Sequence, residues 1–268
     1  MGSGTGSGKV ADARGAVGGL DAFSGIIQNH MASHGEANIM NDWTRHYLQA
    51  AGSLEKWRPL IDAEIEATHR VVADLIPPPC LDILVQRSTF VIREIGMVGR
   101  AWGPNLFSIA FDPNNANFEC CLTDGTLRRQ VAHEVHHCLR FAGPGYGRTL
   151  GEALVSEGLA GQFVARLFNN PPEPWECAIR TPMQFLPDQA TLTATYDHNR
   201  WFFGTHDLPH WLGYSLGFEL VGRWLNQQSA VDGALLVNVP AAKVLATYCA
   251  DPRVAEKHYP HLRQTWID

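Results

Sequence analysis

The chain has 268 residues, 45% hydrophobic and 10% aromatic, which excludes a disordered polymer. At that length a core can bury about 70–75% of the unfolded surface without disulfide staples. Lys and Arg number 21 against 27 Asp and Glu, a net charge of −6, so no nucleic-acid partner is expected.

The first residues, MGSGTGSGKVADARGAVGGL, lack the basic start and apolar stretch of a signal peptide. They read as a Gly/Ser-rich flexible leader over 1–19, and the cytoplasm is the expected location. No apolar run approaches the ~18–20 residues that span a bilayer. Residues 20–76 are expected to be helical. The clearest stretch is Leu54 to Ile76, where Trp57, Leu60, Ile61, Ile65, Val71, Val72, Leu75 and Ile76 recur three and four apart. Pro59 fits only in a first turn, and Pro77, Pro78 and Pro79 stop the helix.

Leu81–Gln86 and Thr89–Ile95 are short and rich in β-branched residues. Asn105–Phe111 alternates loosely and is closed by the turn residues Asp112-Pro113-Asn114-Asn115. A small sheet over 81–111 follows. Leu127–Phe141 is helical again, with Thr123 or Asp124 to cap it and Gly143-Pro144 to end it. Thr149-Leu150-Gly151-Glu152 makes a capping box for a helix reaching about Phe168. Residues 171–208 read mostly as loop, and His210–Gln227 and Ala241–Ala250 as helices. The class is α+β, mostly helical, with the small sheet ahead of the helix 127–141. One domain is expected over 20–268, with a helical N-terminal part 20–79, a core 80–225 and a helical C-terminal part 226–268. The six cysteines, Cys80, Cys120, Cys121, Cys138, Cys177 and Cys249, form no CxxC and read as small buried hydrophobes.

Residues 133–137 read His-Glu-Val-His-His, the pattern H-E-x-x-H. Residues four apart lie one above the other on a helix face, so His133 and His137 can both approach one Zn²⁺. Glu134 is rotated too far to ligate, but it can reach a water polarised by the metal and act as general base. A catalytic zinc takes three protein ligands, and His₂Glu is one such set. Glu157, on the following helix, is flanked by Leu154, Val155, Leu159 and Ala160, where a carboxylate is costly unless paired or metal-bound. Glu152 is its rival, although the capping box accounts for it. Gly158 and Gly161 would let this helix approach a neighbour closely. His136 reads as a support or a surface residue, and Cys138 as packing. Arg140 shares the face of His133 and either binds a substrate carboxylate or pairs with an acid.

The core H-E-x-x-H-x-x-R, the later Thr-Leu-Gly-Glu-Ala-Leu-Val-Ser-Glu-Gly-Leu-Ala and the pattern Gly213-Tyr214-Ser-Leu-Gly217 resemble a bacterial family of predicted zinc-dependent proteases, a domain of unknown function. The similarity spans about residues 80–225. The two His and downstream Glu also resemble the gluzincin peptidases. The resemblance implies a zincin-like fold, whose edge strand holds an extended peptide; residues 105–111 would be that strand. Gly161 departs from the thermolysin-like pattern, which has there an Asp supporting a histidine ligand, so that support must come from elsewhere. An oxyanion donor is also needed. Tyr214 matches the Gly-Tyr pattern and is the candidate, with His210 beside it and His198 and His206 weaker; a buried structural role for Tyr214 stays open. The expected activity is zinc-dependent peptide-bond hydrolysis with one Zn²⁺ per chain on His133, His137 and Glu157. The alternatives are a zinc amidase acting on a small or modified substrate, and a metal-stabilised binding protein.

Overall fold

Alternating side chains build a mixed sheet of four short strands. The computed structural model describes residues 1, 43–205 and 207–249; residues 20–42 of the expected helical stretch lie outside them. The described residues 43–205 and 207–249 belong to one unit. The strands are β1 (Trp43–Tyr47), β2 (Leu81–Arg87), β3 (Met97–Gly103) and β4 (Leu106–Phe111), ordered β1-β2-β4-β3. β1, β2 and β4 are mutually parallel, and β3 runs antiparallel to β4. Leu81, Ile83 and Val85 of β2 and Phe107, Ile109 and Phe111 of β4 are buried.

Three sequence readings are corrected here. The segment Trp43-Thr-Arg-His-Tyr47 is a strand and not helix; its burial alternates with period two, as in a half-covered edge strand. The helix is confined to α1 (Arg58–Leu75), with Pro59 in its first turn. Thr89–Ile95 is not a strand. The chain turns there, Ile95 and Gly96 both donate to the Ile92 carbonyl, and Gly96 takes φ 67°. Residues 106–111 do form a strand, but it lies between β2 and β3, so it is interior; the edges of the sheet are β1 and β3, and β3 is the edge on its side.

The helices that follow are α2 (Phe118–Cys121), α3 (Thr126–Ala142), α4 (Leu150–Phe168), α5 (Gln189–Thr193), α6 (His198–Phe202), α7 (Leu212–Leu225), α8 (Gly233–Asn238) and α9 (Ala241–Cys249), with a 3₁₀ turn at Pro182–Phe185. The α+β class and the sheet ahead of the motif helix are as the sequence reads. No helix among the described residues is long and apolar enough to cross a membrane. Gly125 (φ 89°) sits at the N-cap of α3, and Asp124 serves the Thr126 N–H at 2.9 Å. Arg128 on α3 makes a forked ion pair with Glu64 on α1, at 2.6 and 2.8 Å. α4 opens on the expected capping box: Thr149 accepts from the Glu152 N–H, and Glu152 accepts from the Thr149 N–H at 3.0 Å.

Arg140 and His136 anchor α3 to α8. Arg140 is 1% exposed and donates to the carbonyls of Val237 and Val239 at 2.8 and 3.1 Å, so it binds neither a substrate carboxylate nor an acid. His136 is fully buried with its Nε2 against the Leu236 carbonyl at 3.1 Å, which overturns a surface position. Cys121 and Cys138 are buried, whereas Cys80, Cys120 and Cys177 are exposed, so the reading of all six as buried fails.

α4 and α7 pack backbone against backbone. A Cβ on Gly158 would strike the Gly217 carbonyl, and one on Gly217 would strike the Leu154 carbonyl, both far inside real contact distances. Helices this close cannot yield to an inserted methyl without moving apart. Gly217→Ala should cost about 1–3 kcal/mol, lowering the thermal midpoint by about 2–12 °C. Calorimetry of the variant beside the wild-type protein checks this; an unchanged midpoint would show that the helices can separate freely.

Candidate metal centre

α3 and α4 form a helical hairpin whose facing sides bring His133, His137 and Glu157 together. One ligand atom from each lies within 4.8 Å of the others, so the three can hold a metal ion. His133 Nε2 is 3.1 Å from Glu157 Oε2, His137 Nε2 is 3.0 Å from His133 Nε2, and His137 Nε2 is 3.5 Å from Glu157 Oε2. Ligands bound about 2.0–2.1 Å from a tetrahedral zinc lie about 3.3 Å from one another. The spacing and the His₂Glu set therefore fit zinc. Glu152 does not join them; its Oε2 is engaged by the N–H groups of Arg148 and Thr149 at the start of α4.

Glu157 is 7% exposed, and Leu154, Val155, Leu159 and Ala160 around it are fully buried. Burial alone would raise its pKa, but the two imidazoles hold it well below the ordinary carboxylate range. Burial also opposes a charged His133. The bond to Glu157 and the charges of Glu157, Glu134 and Glu176 outweigh it and push His133 up to about 9.

The sequence reading missed Tyr146. Its hydroxyl donates to Glu157 Oε1 at 2.6 Å, leaving Oε2 turned to the histidines. The loop joining α3 to α4 places it there: Gly145 (φ 85°) and Gly147 (φ 100°) flank the tyrosine, and Ser156 Oγ donates to its carbonyl at 2.7 Å. A tyrosine between glycines, linking the two motif helices, was the available signal. Tyr196 hydrogen-bonds to Tyr146 and feels the charge of Glu157.

A cleft opens at His133 and Glu134. Gly99 and Val98 of β3 form one wall, and Trp175, Phe203, Trp211 and Tyr214 form the aromatic side. Glu134 lies directly against β3. A Cβ on Gly99 would overlap its side chain, and the Ala101 backbone hydrogen-bonds to its carboxylate. Burial raises the Glu134 carboxyl above its usual range. Tyr214 lines the cleft with His133 and Glu134; its phenol is raised by burial and by the charges of Glu157 and Glu134. His210 is exposed and stacks on Trp211 at 4.3 Å, outside the cleft lining. His198 is half-buried, stacked on Phe202 at 4.5 Å, and His206 lies outside the described residues.

Two measurements follow from this geometry. Tyr146→Phe frees Glu157 Oε1, and loss of such an orienting partner should weaken zinc binding by about 10–100-fold; competition with a chromophoric chelator reads this. The proton that His133 keeps up to about pH 9 must leave when metal binds. Apparent zinc affinity should therefore rise with pH at all values below about 9, by up to about tenfold per unit, and flatten above it. Chelator-buffered titrations across that range check the slope; a flat profile would mean that His133 carries no proton to displace.

Residues 62–246 match the model of a family described as "Predicted Zn-dependent protease (DUF2268)". Comparison with curated proteins gave no match, and neither did comparison with solved structures. The match covers most of the chain and includes both helices of the hairpin that carries His133, His137 and Glu157 and the cleft beside it, and the chain belongs to this family.

Proposed function

We propose that the chain is a zinc-dependent peptide-bond hydrolase of gluzincin type, with one Zn²⁺ on His133, His137 and Glu157. One observation carries the reading: the three converging donor atoms sit beside a cleft that also presents the Glu134 carboxylate and the Tyr214 phenol. Zinc held there would supply Lewis acidity, polarising the scissile carbonyl and easing loss of a proton from water.

The protein's own groups do the rest. Glu134 takes the proton from the attacking water and returns it to the leaving nitrogen. Burial raises its carboxyl above the ordinary range, which makes it a stronger base than a solvated carboxylate. Gly99 and the Ala101 N–H keep it in place, so it does not need to be ordered at the moment of reaction. Tyr214 donates to the oxygen that becomes negative in the tetrahedral intermediate. An extended peptide laid on the free edge of β3 would pass Glu134 directly, and that edge takes the role assigned from sequence to residues 105–111.

A small amide is the second substrate class this chemistry allows; the length of the β3 edge favours a peptide. A purely structural metal normally takes four protein ligands, and among the described residues the metal-holding group has three. That favours catalysis over a metal-stabilised binding role.

Glu134→Gln should keep its zinc and its fold and lose turnover by several orders of magnitude, because proton transfer and metal activation act on the same water. A peptide-library cleavage assay with metal analysis tests this; equal cleavage by the variant would end the mechanism. Tyr214→Phe should lower kcat by about 10²–10³ with little change in KM, because its contact forms mainly in the transition state. Single-substrate kinetics separate the two constants. Normal kcat in that variant would make Tyr214 a packing residue.

A further inference from the structure

Glu176 is a buried carboxylate that nothing in the proposed mechanism uses. It is 7% exposed and lies in the Pro-rich segment after α4. Its Oε2 accepts the Glu173 N–H at 2.7 Å, but its Oε1 is buried with no hydrogen-bond partner. An unpaired carboxylate oxygen in such a place is costly, so a donor is owed to it.

Further features point to where that donor lies. A Cβ on Gly161 would collide with Glu176 Oε1, so the glycine one helical turn beyond Glu157 leaves room for this oxygen beside the metal-holding face of α4. The segment carrying Glu176 is held to α3 by an ion pair between Glu173 and Arg129, one turn before His133. Trp175 lines the cleft together with Gln130 and His133. The free oxygen is thus held at the His133 end of the donor set. The charges of Glu176 and His133 act on each other.

We propose that Glu176 is the positioning residue for His133: its Oε1 receives the Nδ1–H of that ring when Nε2 holds the metal. A ligating histidine ordinarily gives its second ring N–H to a carboxylate or carbonyl, which fixes the tautomer and the ring plane. Here the carboxylate reaches in from a separate loop, and Gly161 makes space for it. The assignment rests on the metal reading above.

The test is zinc affinity, measured by chelator competition on the full chain, with apo-protein melting as the control for folding. Glu176→Gln keeps the shape and an acceptor for the Glu173 N–H, and should bind zinc about 10–100-fold more weakly while melting as the wild type does. Glu176→Ala should weaken binding at least as much. Adding Gly161→Asp to that variant returns a carboxylate to the vacated space, once the Phe218 ring beside Gly161 gives way slightly, and should recover most of the affinity in a protein that still melts as the single variant does, which a merely structural role would not do. Wild-type affinity in Glu176→Gln, or no recovery in the double variant, overturns the assignment alone. Wild-type protein that takes up no zinc overturns the metal reading and this assignment with it.

Discussion

A carboxylate has to be kept charged inside an apolar helix, and the architecture around Glu157 follows from that. Leu154, Val155, Leu159 and Ala160 exclude water from it, so its compensation must come from fixed groups. Two imidazoles on α3 and one phenol from the hairpin loop supply it. Each must be held to within tenths of an ångström, and the fold does this with backbone devices. The capping box fixes the start of α4, the glycine pair seals α4 on α7, and Arg140 and His136 tie α3 to α8. The sheet contributes less to the donor set than to the cleft wall.

The hairpin was legible because both of its signals are local. The spacing of His133 and His137 needs only helical geometry, and the capping box is complete within four residues. Glu157 stood out because a charge among apolar neighbours demands a reason. β3 was hidden for the opposite cause. Its sequence, Met-Val-Gly-Arg-Ala-Trp-Gly, has small residues where a strand usually shows large ones, and Gly99 must make room for Glu134. A tertiary demand thus erased the pattern by which a strand is recognised. β1 was lost similarly, a five-residue edge strand with polar alternate positions inside a stretch that otherwise repeats like a helix.

Tyr146 and Glu176 share another kind of illegibility. Both sit in loops rich in Gly or Pro, where neighbouring residues give no periodicity to read. Their partners, Glu157 and the space over Gly161, are 11 and 15 residues away and lie on a different element. A loop side chain gains meaning only once the helices it serves have been placed. Thr89–Ile95 erred the other way: its β-branched residues suit a strand, but the turn at Gly96 takes the chain into β3 before they can pair at length.

The contact between Gly99 and Glu134 has a mechanical side. The wall of the cleft and the carboxylate inside it touch with no side chain between them, so they cannot be displaced independently. Any ligand that pulls on the rim of the sheet also pushes on an ionisable group of α3. Flexing of β3 by a fraction of an ångström would change the solvation of Glu134 and its distance from the imidazoles, and with them its proton affinity. A load on the rim of the sheet would in this way be felt as a change of acidity deep in the cleft.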